Sequence, residues 1–430
     1  MSELRTHPTN NTFRPPAAVP AKDRPSPQGD VPNSSLAAPS LYALDWLNFF
    51  LAALLTGFGP FVGLYLADRG WVPANVGLIL TVSGLAGLFT QIPAGELIDV
   101  VRAKRALVGA GVAAVALGIL LLGLRQDFFS VFAAAVIQGT ASAVIGPGIA
   151  AISLGLVGHR ALAGRLGRNQ CFASIGALTA AGMMGLAGYL LPIRDIFLLT
   201  SALGVPALVV LARIRASDIH FARSCGASDL HPTDLQRASR AALLKDHRLA
   251  TFACCLFLFQ LANASLLPLI AQSLPRTEGS WSSLILSGII VVPQIIVVLL
   301  APWVGRTAET WGRRPLLLIG LGVLPIRSAF FALTTDPAPL LAVQLLDGLS
   351  GATLGVLTTL VIADLTKGTG RFNLAQGFVG TLSGVGAALS TAVSGFLAAS
   401  YGQMAGFWAV TGVSLLAVAI LWLFMPETKE

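Results

Sequence analysis

The sequence predicts an all-α integral membrane protein in which twelve transmembrane helices form two pseudo-symmetric six-helix bundles. Three observations favour this fold class. Of the 430 residues 55% are hydrophobic and only 11% are charged, whereas an average soluble domain has about 25% charged residues. Apolar runs long enough to cross a bilayer recur along the chain. Residue patterns of the first half return in the second half at a nearly constant offset.

The composition argues against three classes of protein. With a mean hydropathy of +0.77, the chain has too little polar surface for a soluble enzyme, a nucleic-acid binder or a secreted disulfide scaffold. The four cysteines show neither metal-ligand spacing nor a disulfide framework, and the five histidines lie outside the long apolar runs. We therefore expect no enzyme activity, no metal site and no cofactor.

The apolar runs define the predicted spans. Residues 1–40 are proline-rich and are expected to form a disordered tail without a cleaved signal peptide. Helices are expected after this tail because a single continuous helix satisfies its own backbone hydrogen bonds in lipid. The twelve predicted spans are 41–66, 75–95, 106–124, 128–157, 171–191, 196–213, 249–272, 282–304, 316–334, 339–362, 374–398 and 406–425.

The basic residues predict the orientation. With the tail in the cytoplasm, 23 of the 28 Lys and Arg residues fall on the cytoplasmic side and four on the other side. This asymmetry is the positive-inside pattern and predicts that both termini are cytoplasmic. The net charge of +8 is then explained by contact with anionic membrane lipid rather than with nucleic acid. We expect a bacterial cytoplasmic (inner) membrane, because the loops are short and no extracellular domain is present.

The chain is expected to be a duplicated six-helix unit. Three residue pairs occupy matching places in the two halves and lie 208 to 210 positions apart: Pro60 and Pro268, Gly95 and Gly305, and Gly139 and Gly348. The predicted domains are a cytoplasmic tail (1–40), an N-terminal bundle (41–213), a cytoplasmic central loop (214–248), a C-terminal bundle (249–425) and a cytoplasmic C-terminus (426–430).

Two short loops at matching places carry a shared pattern. The loop after the second span reads Gly95-Glu-Leu-Ile-Asp99-Val-Val-Arg102-Ala-Lys104-Arg105, and the loop after the eighth reads Gly305-Arg-Thr-Ala-Glu309-Thr-Trp-Gly312-Arg313-Arg314-Pro315. A small glycine lets two helices approach, and a carboxylate is stabilised near a helix N-terminus. The basic residues can anchor the turn at lipid head groups and form ion pairs that change when helices move.

With twelve spans and the repeat, these loops resemble those of the major facilitator superfamily over residues 41–425. The second loop matches the family pattern Gly-x-x-x-Asp-x-x-Gly-Arg-Arg with Glu309 in place of the aspartate, and the first has Arg102 where the second glycine belongs. The resemblance implies a secondary transporter in which two bundles rock about a site near the bilayer midplane. It also implies that the loops close the cytoplasmic side in one state. The gating candidates are Gly95, Asp99, Lys104, Arg105, Gly305, Glu309, Gly312, Arg313 and Arg314.

Polar residues inside the spans are candidate cavity or coupling residues, because ionisable groups are costly in lipid. Arg327 and Asp347 fall at depths of about 10 and 12 Å in neighbouring antiparallel spans, so we predict an ion pair, either a fixed structural link or a proton or substrate site. Asp45 is interpreted either as an acid at a helix N-terminus or as a cavity residue. The full set is Asp45, Asn48, Gln138, Gln260, Asn263, Arg327, Gln344 and Asp347.

The functional hypothesis is proton-coupled efflux of a small amphipathic or hydrophobic organic solute. No phosphate-binding loop of the ATPase type occurs, so an ion gradient is the expected energy source. The alternative is an uptake permease for a small metabolite or siderophore-like compound. A hypothesis of another class is a non-transporting membrane receptor or scaffold. The expected partners are the solute, membrane lipid and protons, and the chain is expected to act as a monomer.

Overall fold

The computed structural model describes residues 38–56, 62, 65–66, 69–125, 127–190, 192–227, 241, 243, 245–273, 281–333 and 337–429. Over these residues the regular structure is helical and no strand occurs, so the predicted all-α class is confirmed. Residues 1–37 of the predicted tail, most of the central loop between 228 and 244, and Pro60 lie outside the described residues.

The helices are α1 (Ala38–Thr56), α2 (Pro73–Val100), α3 (Lys104–Leu124), α4 (Phe128–Val157), α5 (Leu162–Leu190), α6 (Ile193–Ala202), α7 (Gly204–Arg213), α8 (Phe221–Ser224), α9 (His247–Asn263), α10 (Leu266–Ser273), α11 (Trp281–Trp311), α12 (Arg314–Leu333), α13 (Pro337–Leu365), α14 (Phe372–Tyr401) and α15 (Gln403–Phe424).

Ten segments among the described residues are long and apolar enough to cross a bilayer. They correspond to ten of the twelve predicted spans. The fifth predicted span is α5, which is 29 residues long, and the seventh is the pair α9 and α10. The helices thus agree with a twelve-span chain, although only ten of them meet the length and hydropathy criteria for a span.

Two predicted spans are interrupted, and a third begins earlier than predicted. The sixth divides into α6 and α7 at Leu203, and the seventh divides into α9 and α10 at residues 264–265. Each interruption precedes a proline: Pro206 has no N–H for the carbonyl of Ala202, and Pro268 has none for that of Ala264. The fifth helix begins at Leu162 rather than at 171, so two arginines assigned to a loop lie inside a helix.

The helices surround two hydrophobic cores. One core is built from side chains of residues 43–214, and the other mainly from residues 243–425. We call α1–α7 the first half and α9–α15 the second half. Exposed large side chains such as Phe396, Leu416 and Trp422 lie on outer helix faces, where a bilayer would cover them.

Matching glycines make matching close contacts in the two halves. A Cβ on Gly139 of α4 would lie 2.1 Å from the carbonyl oxygen of Ser83 on α2, and one on Gly348 of α13 would lie 2.6 Å from that of Pro293 on α11. Gly176 and Gly386, which are 210 positions apart, likewise approach carbonyls of α1 and α9. Backbones can come this close only where no side chain intervenes. The sequence offset therefore corresponds to a repeated packing arrangement.

Candidate functional site

A central chamber lies between the two halves. It consists of two adjoining cavities of about 300 Å³ and 470 Å³, whose walls share Ser142, Gly146 and Thr359. Helices α1, α2, α4 and α5 supply the first-half walls, and α9, α13 and α14 supply the second-half walls. The volumes fall in the range of about 300–1,000 Å³ that is typical of small-molecule sites.

The chamber walls are mainly apolar and carry several uncharged polar side chains. No Asp, Glu, Lys, Arg or His occurs among the described residues that line either cavity. A carboxamide both donates and accepts hydrogen bonds, so these walls can bind polar groups without supplying a counter-charge. Six carboxamide side chains line the chamber: Asn48, Gln91, Asn169, Gln170, Gln260 and Gln376.

The predicted cavity residues divide into two groups. Asn48 and Gln260 line the chamber, whereas Asn263, Gln344 and Gln138 are absent from its walls. The Gln138 side chain is buried inside the first half, where its Oε1 lies 3.9 Å from the place of a Cβ on Gly118 of α3, and its role in the cavity stays a prediction. Sequence position gives the depth of a residue in a span. It does not give the helix face when the whole run is apolar.

The expected ion pair between Arg327 and Asp347 is present. The Arg327 guanidinium donates from Nη1 to the Asp347 carboxylate and from Nη2 to Asn263 Oδ1, the latter at 2.6 Å. The Arg327 side chain is 4% exposed, whereas that of Asp347 is 33% exposed. The network therefore joins α12, α13 and α9, and its carboxylate is the more accessible partner.

The first half has no equivalent of this ion pair. Gly118 and Gln138 precede Arg327 and Asp347 by 209 positions each, and they approach each other in the corresponding way between α3 and α4. Because a glycine and a carboxamide suffice at this junction in the first half, packing alone does not require two charges in the second half. This asymmetry favours the functional interpretation of the pair over the structural one.

Asp45 forms a second buried ionic cluster. Its carboxylate accepts hydrogen bonds from Arg165 Nη2 and, at 2.8 Å, from Arg168 Nε, both on α5. Asp45 lies in the interior of α1, not in its first turn, and it is absent from the chamber walls. Asp45 is therefore not an acid in the first turn of a helix, and its role in the cavity stays a prediction. The cluster was not foreseen because the late predicted start of the fifth span placed Arg165 and Arg168 in a loop.

This cluster is connected to the chamber through Asn169. Arg165 Nε donates to Asn169 Oδ1 at 2.7 Å, and Asn169 Nδ2 donates to Ser153 Oγ at 2.8 Å. Neither Asn169 nor Arg165 is among the site residues predicted from the sequence. Their one sequence signal is their polar character next to a glycine-rich span.

The first gating loop contacts the second half directly. Asp99 Oδ1 accepts from Asn373 Nδ2 at 2.8 Å and Oδ2 accepts from the Leu374 N–H at 2.9 Å, so the carboxylate caps the N-terminus of α14. A Cβ on Gly95 would lie 2.2 Å from the Asn373 carbonyl oxygen, and only glycine fits there. We call these contacts the Asp99 latch. The end of the molecule where they lie, which also carries both gating loops, is called the basic end.

A segment that follows α7 covers the Asp99 latch. We call residues 214–227 the strap. It accepts a hydrogen bond from the Gly368 N–H at Gly226 O (2.7 Å) in the second half, and its His220 N–H donates to Gly155 O (3.1 Å) in the first half. Arg105 Nη1 donates to Ile214 O at 2.5 Å. The strap therefore crosses from one half to the other at the basic end.

Lys104 and Cys225 are buried beneath the strap. Lys104 Nζ donates to Ile98 O and lies 3.4 Å from Cys225 Sγ, while the Cys225 thiol donates to Asp99 O at 3.2 Å. Burial raises the pKa of the Cys225 thiol. Lys104 is 2% exposed, so the expectation that it anchors the turn at lipid head groups was wrong. The strap, whose fold was not predicted, is what covers it.

The second gating loop packs against the first half through a glycine. A Cβ on Gly305 of α11 would lie 2.5 Å from the Ala163 carbonyl oxygen on α5, and the Cα of Gly167 is 3.3 Å from it. This contact mirrors that of Gly95, because in each half the glycine of the loop motif meets a helix of the other half. Gly312 has φ +95°, a conformation that favours glycine.

The charged residues of the second loop bind within the second half. Arg313 pairs with Asp364 at 2.9 Å, and Arg314 Nη2 donates to Trp422 O at 2.5 Å. Glu309 was expected to act like Asp99, but its side chain is exposed and forms no ion pair with a described residue. Glu427 takes the capping role instead by accepting from the Arg313 and Arg314 N–H groups. Glu427 lies more than a hundred positions after this loop, so no loop pattern indicates its role.

The two ends of the halves differ in how closely they approach. At the basic end, Cβ atoms on Gly95, Gly167, Gly305 and Gly377 would each collide with backbone of the other half. Towards the opposite end, Cβ atoms on Gly77, Gly84, Gly182 and Gly395 would meet nothing within 4 Å. The glycine contacts that join the two halves below the chamber therefore lie at the basic end.

Comparison with known proteins agrees with this architecture. The sequence model of the Major Facilitator Superfamily matches residues 44–274 and 249–430. The chain is 34% identical over 396 residues to the uncharacterized MFS-type transporter Rv2456c of Mycobacterium tuberculosis (strain ATCC 25618 / H37Rv), covering 90% of this chain and 93% of that protein. It is 25% identical over 405 residues to multidrug resistance protein MdtG of Salmonella choleraesuis (strain SC-B67), covering 88% and 94%.

Among solved structures, the fold is similar to that of the MFS transporter FucP in the outward conformation. The TM-score is 0.70 at 15% identity, with 90% of this chain and 98% of that chain covered. A similarity at this identity concerns the fold, and here it extends over both halves. The family match and the relative at 34% identity establish the wider assignment: this chain is a member of the major facilitator superfamily of membrane transporters.

Proposed function

We propose that this transporter exports a small organic solute across the bacterial cytoplasmic membrane in exchange for protons. It does so by alternating access, with residues 41–213 and 249–425 moving as two units and with both termini in the cytoplasm. The observation that carries the proposal is the chamber between the halves, which has uncharged polar groups in its walls and glycine contacts between the halves at the basic end. The relative MdtG is a multidrug resistance protein, which supports export as the direction of transport.

The Asp99 latch and the Gly305 contact are the proposed cytoplasmic gate. Opening the chamber to the cytoplasm requires α2 to leave α14 and α11 to leave α5, because these helix pairs form the closed end. Asp99 accepts hydrogen bonds from Asn373 and Leu374 at the N-terminus of α14, so its carboxylate joins the two halves at this end. In this proposal the structure corresponds to the state that faces away from the cytoplasm.

Asp347 is the proposed proton-coupling residue. It lies within a helix that crosses the bilayer, its side chain is one-third exposed, and the first half has a neutral glutamine at the equivalent place. Asp45 is a weaker candidate, because two arginines bind its carboxylate and it is 2% exposed. A proton on Asp347 would remove its attraction to Arg327 and free that arginine to rearrange, which couples protonation to helix position.

The test is solute flux in proteoliposomes with and without a pH gradient, across a compound panel. The proposal predicts that an imposed gradient drives at least one solute against its concentration gradient and that Asp347→Asn abolishes this drive while downhill exchange continues. Asp195→Asn, a change at the N-terminus of α6 in the first half, is the matched control and leaves the drive intact. Solute transport that is independent of the pH gradient would contradict proton coupling. Undiminished uphill transport by Asp347→Asn would contradict the assignment of Asp347 as the coupling residue.

A further inference from the structure

We propose that the solute is an uncharged molecule with both hydrogen-bond donors and acceptors, and that Gln91 and Gln376 select it. This inference rests on the proposed function and specifies its substrate class. It follows from three features of the chamber: which of its polar groups are already bonded to protein, how Gln91 is positioned, and what charge surrounds it.

The carboxamides of the chamber differ in whether the protein already uses them. Asn48 Nδ2 donates to Leu44 O at 2.7 Å, and both ends of Asn169 are bonded to Arg165 and Ser153. In contrast, Gln91 Oε1 and Gln376 Nε2 are buried and have no hydrogen-bond partner among the described residues. Buried polar groups in native proteins are almost always bonded. An acceptor and a donor therefore remain for a ligand in the larger cavity, whose walls contain both residues.

Gln91 is fixed at the crossing of the two halves. A Cβ on Gly377 of α14 would lie 2.3 Å from the Gln91 carbonyl oxygen, and a Cβ on Gly380 would lie 2.9 Å from Gln91 Oε1. These glycines allow the α2 backbone and the Gln91 side chain to lie directly against α14. Gly377 directly follows Gln376 in the sequence, so Gln91 packs beside the part of α14 that carries Gln376. A solute bound to both glutamines would bridge α2 and α14, the two helices that the Asp99 latch joins about two turns further along α2.

The charge around the chamber excludes ionic solutes. Burying an ion without a counter-charge is strongly unfavourable, and no charged residue lines the described walls. A charged group that contacts a wall residue is Arg165, whose guanidinium is bound by Asp45, Asn169 and the Leu41 carbonyl. Arg165 thus has no free orientation toward an anion, and the cluster of one carboxylate and two arginines repels a cation.

The experiment measures ligand-induced changes in the Tm of the purified full-length protein with charge-matched probes. One set is nicotinamide, the N-methylnicotinamide cation and nicotinate, and another is glucose, glucosamine and glucuronate, extended by larger amides with the same three charge states. The inference predicts that Tm increases are confined to uncharged members. Increases of equal or larger size with cations or anions would overturn it while leaving the transporter proposal intact. No response to any probe, together with no solute-dependent flux in proteoliposomes, would count against both.

Variants of the two glutamines separate recognition from structure. Gln91→Met and Gln376→Met are expected to weaken binding of the uncharged probe with the largest Tm response at least tenfold. The Tm without ligand should stay equal or rise, because an unbonded polar atom is replaced by an apolar one. Gln403→Met, at the opposite end and outside the chamber, is the control. Gln376→Glu should shift preference toward the cationic member of each set. Unchanged affinity in both methionine variants would assign selection to other residues and refute this inference.

Discussion

The Asp99 latch gives the most specific quantitative prediction. Asp99→Asn keeps the shape of the side chain but removes its negative charge and replaces one acceptor oxygen by a donor that faces the N-terminus of α14. Hydrogen bonds to charged groups contribute about 1.5–3 kcal/mol, and a charge at a helix N-terminus contributes about 0.3–1 kcal/mol. Loss of one such bond and of the dipole interaction should favour the open basic end by about 2–4 kcal/mol. Since 1.4 kcal/mol is tenfold, the open population should rise about 30- to 700-fold.

Cys225 is a native reporter of this opening. Its thiol is fully buried beside Asp99, and burial raises its pKa, so the closed protein keeps it unreactive. With Cys171, Cys254 and Cys255 replaced by serine, the rate of alkylation of Cys225 by N-ethylmaleimide, followed by mass spectrometry, measures the open population. Asp99→Asn should raise this rate by the same factor.

Asp127→Asn is the matched control for this measurement. Asp127 also caps a helix, accepting from the Ser130 N–H at 3.0 Å, but it does so within the first half at the opposite end. We expect its alkylation rate to equal that of the parent protein. An increase of less than threefold in Asp99→Asn, or an equal increase in both variants, would refute the assignment of the carboxylate as a latch between halves.

Three further changes test other contacts. Gly305→Val should reduce thermal stability and raise Cys225 alkylation, because its Cβ would lie 2.5 Å from a backbone oxygen of α5; an unchanged Tm would show that the halves do not touch there. Arg327→Met should destabilise the protein by leaving Asp347 unpaired, by about 1–3 kcal/mol because that carboxylate is one-third exposed, and adding Asp347→Asn should restore most of the loss; denaturation of the three proteins checks this, and an additive double variant would contradict it. Burial opposes ionisation of Glu427, but hydrogen bonds from the backbone N–H groups at the start of α12 outweigh it and lower its pKa. The ionised Glu427 carboxylate should therefore stabilise the protein fully above its ordinary pKa of about 4.3. This stabilisation should disappear as the pH falls through the lowered pKa, and the resulting decrease in Tm should be absent from Glu427→Gln.

The helices and their duplication could be predicted because lipid imposes simple rules on the sequence. Length and hydropathy defined the spans, and repeated glycines such as Gly139 and Gly348 marked positions where the repeated fold needs close backbone contact. The position of Asp99 between a glycine and a basic cluster also indicated its role near a helix N-terminus. These features depend on local composition and on spacing, which a single sequence contains.

The arrangement of polar groups between helices could not be predicted in the same way. Hydropathy placed the start of the fifth helix after Arg165, so the cluster with Asp45 was missed, although an arginine can lie within a membrane helix when a carboxylate binds it. Gln91 was passed over because it lies in the second predicted span, whereas the uncharged candidates were all taken from the first, fourth, seventh and tenth spans. Glu427 replaces Glu309 through a contact between residues more than a hundred positions apart, and no local pattern encodes such a contact.

The central claim is that the two halves rock about the chamber, so that one end opens as the other closes. Distances between spin labels measure this directly in proteoliposomes: one pair on Val100 and Lys367 at the basic end, and one pair on Val72 and Tyr401 at the opposite end, all on helix ends or loops. The account predicts reciprocal changes when the pH or a transported solute is varied, with the first distance lengthening as the second shortens. Two distances that stay fixed, or that change in the same direction, would contradict it.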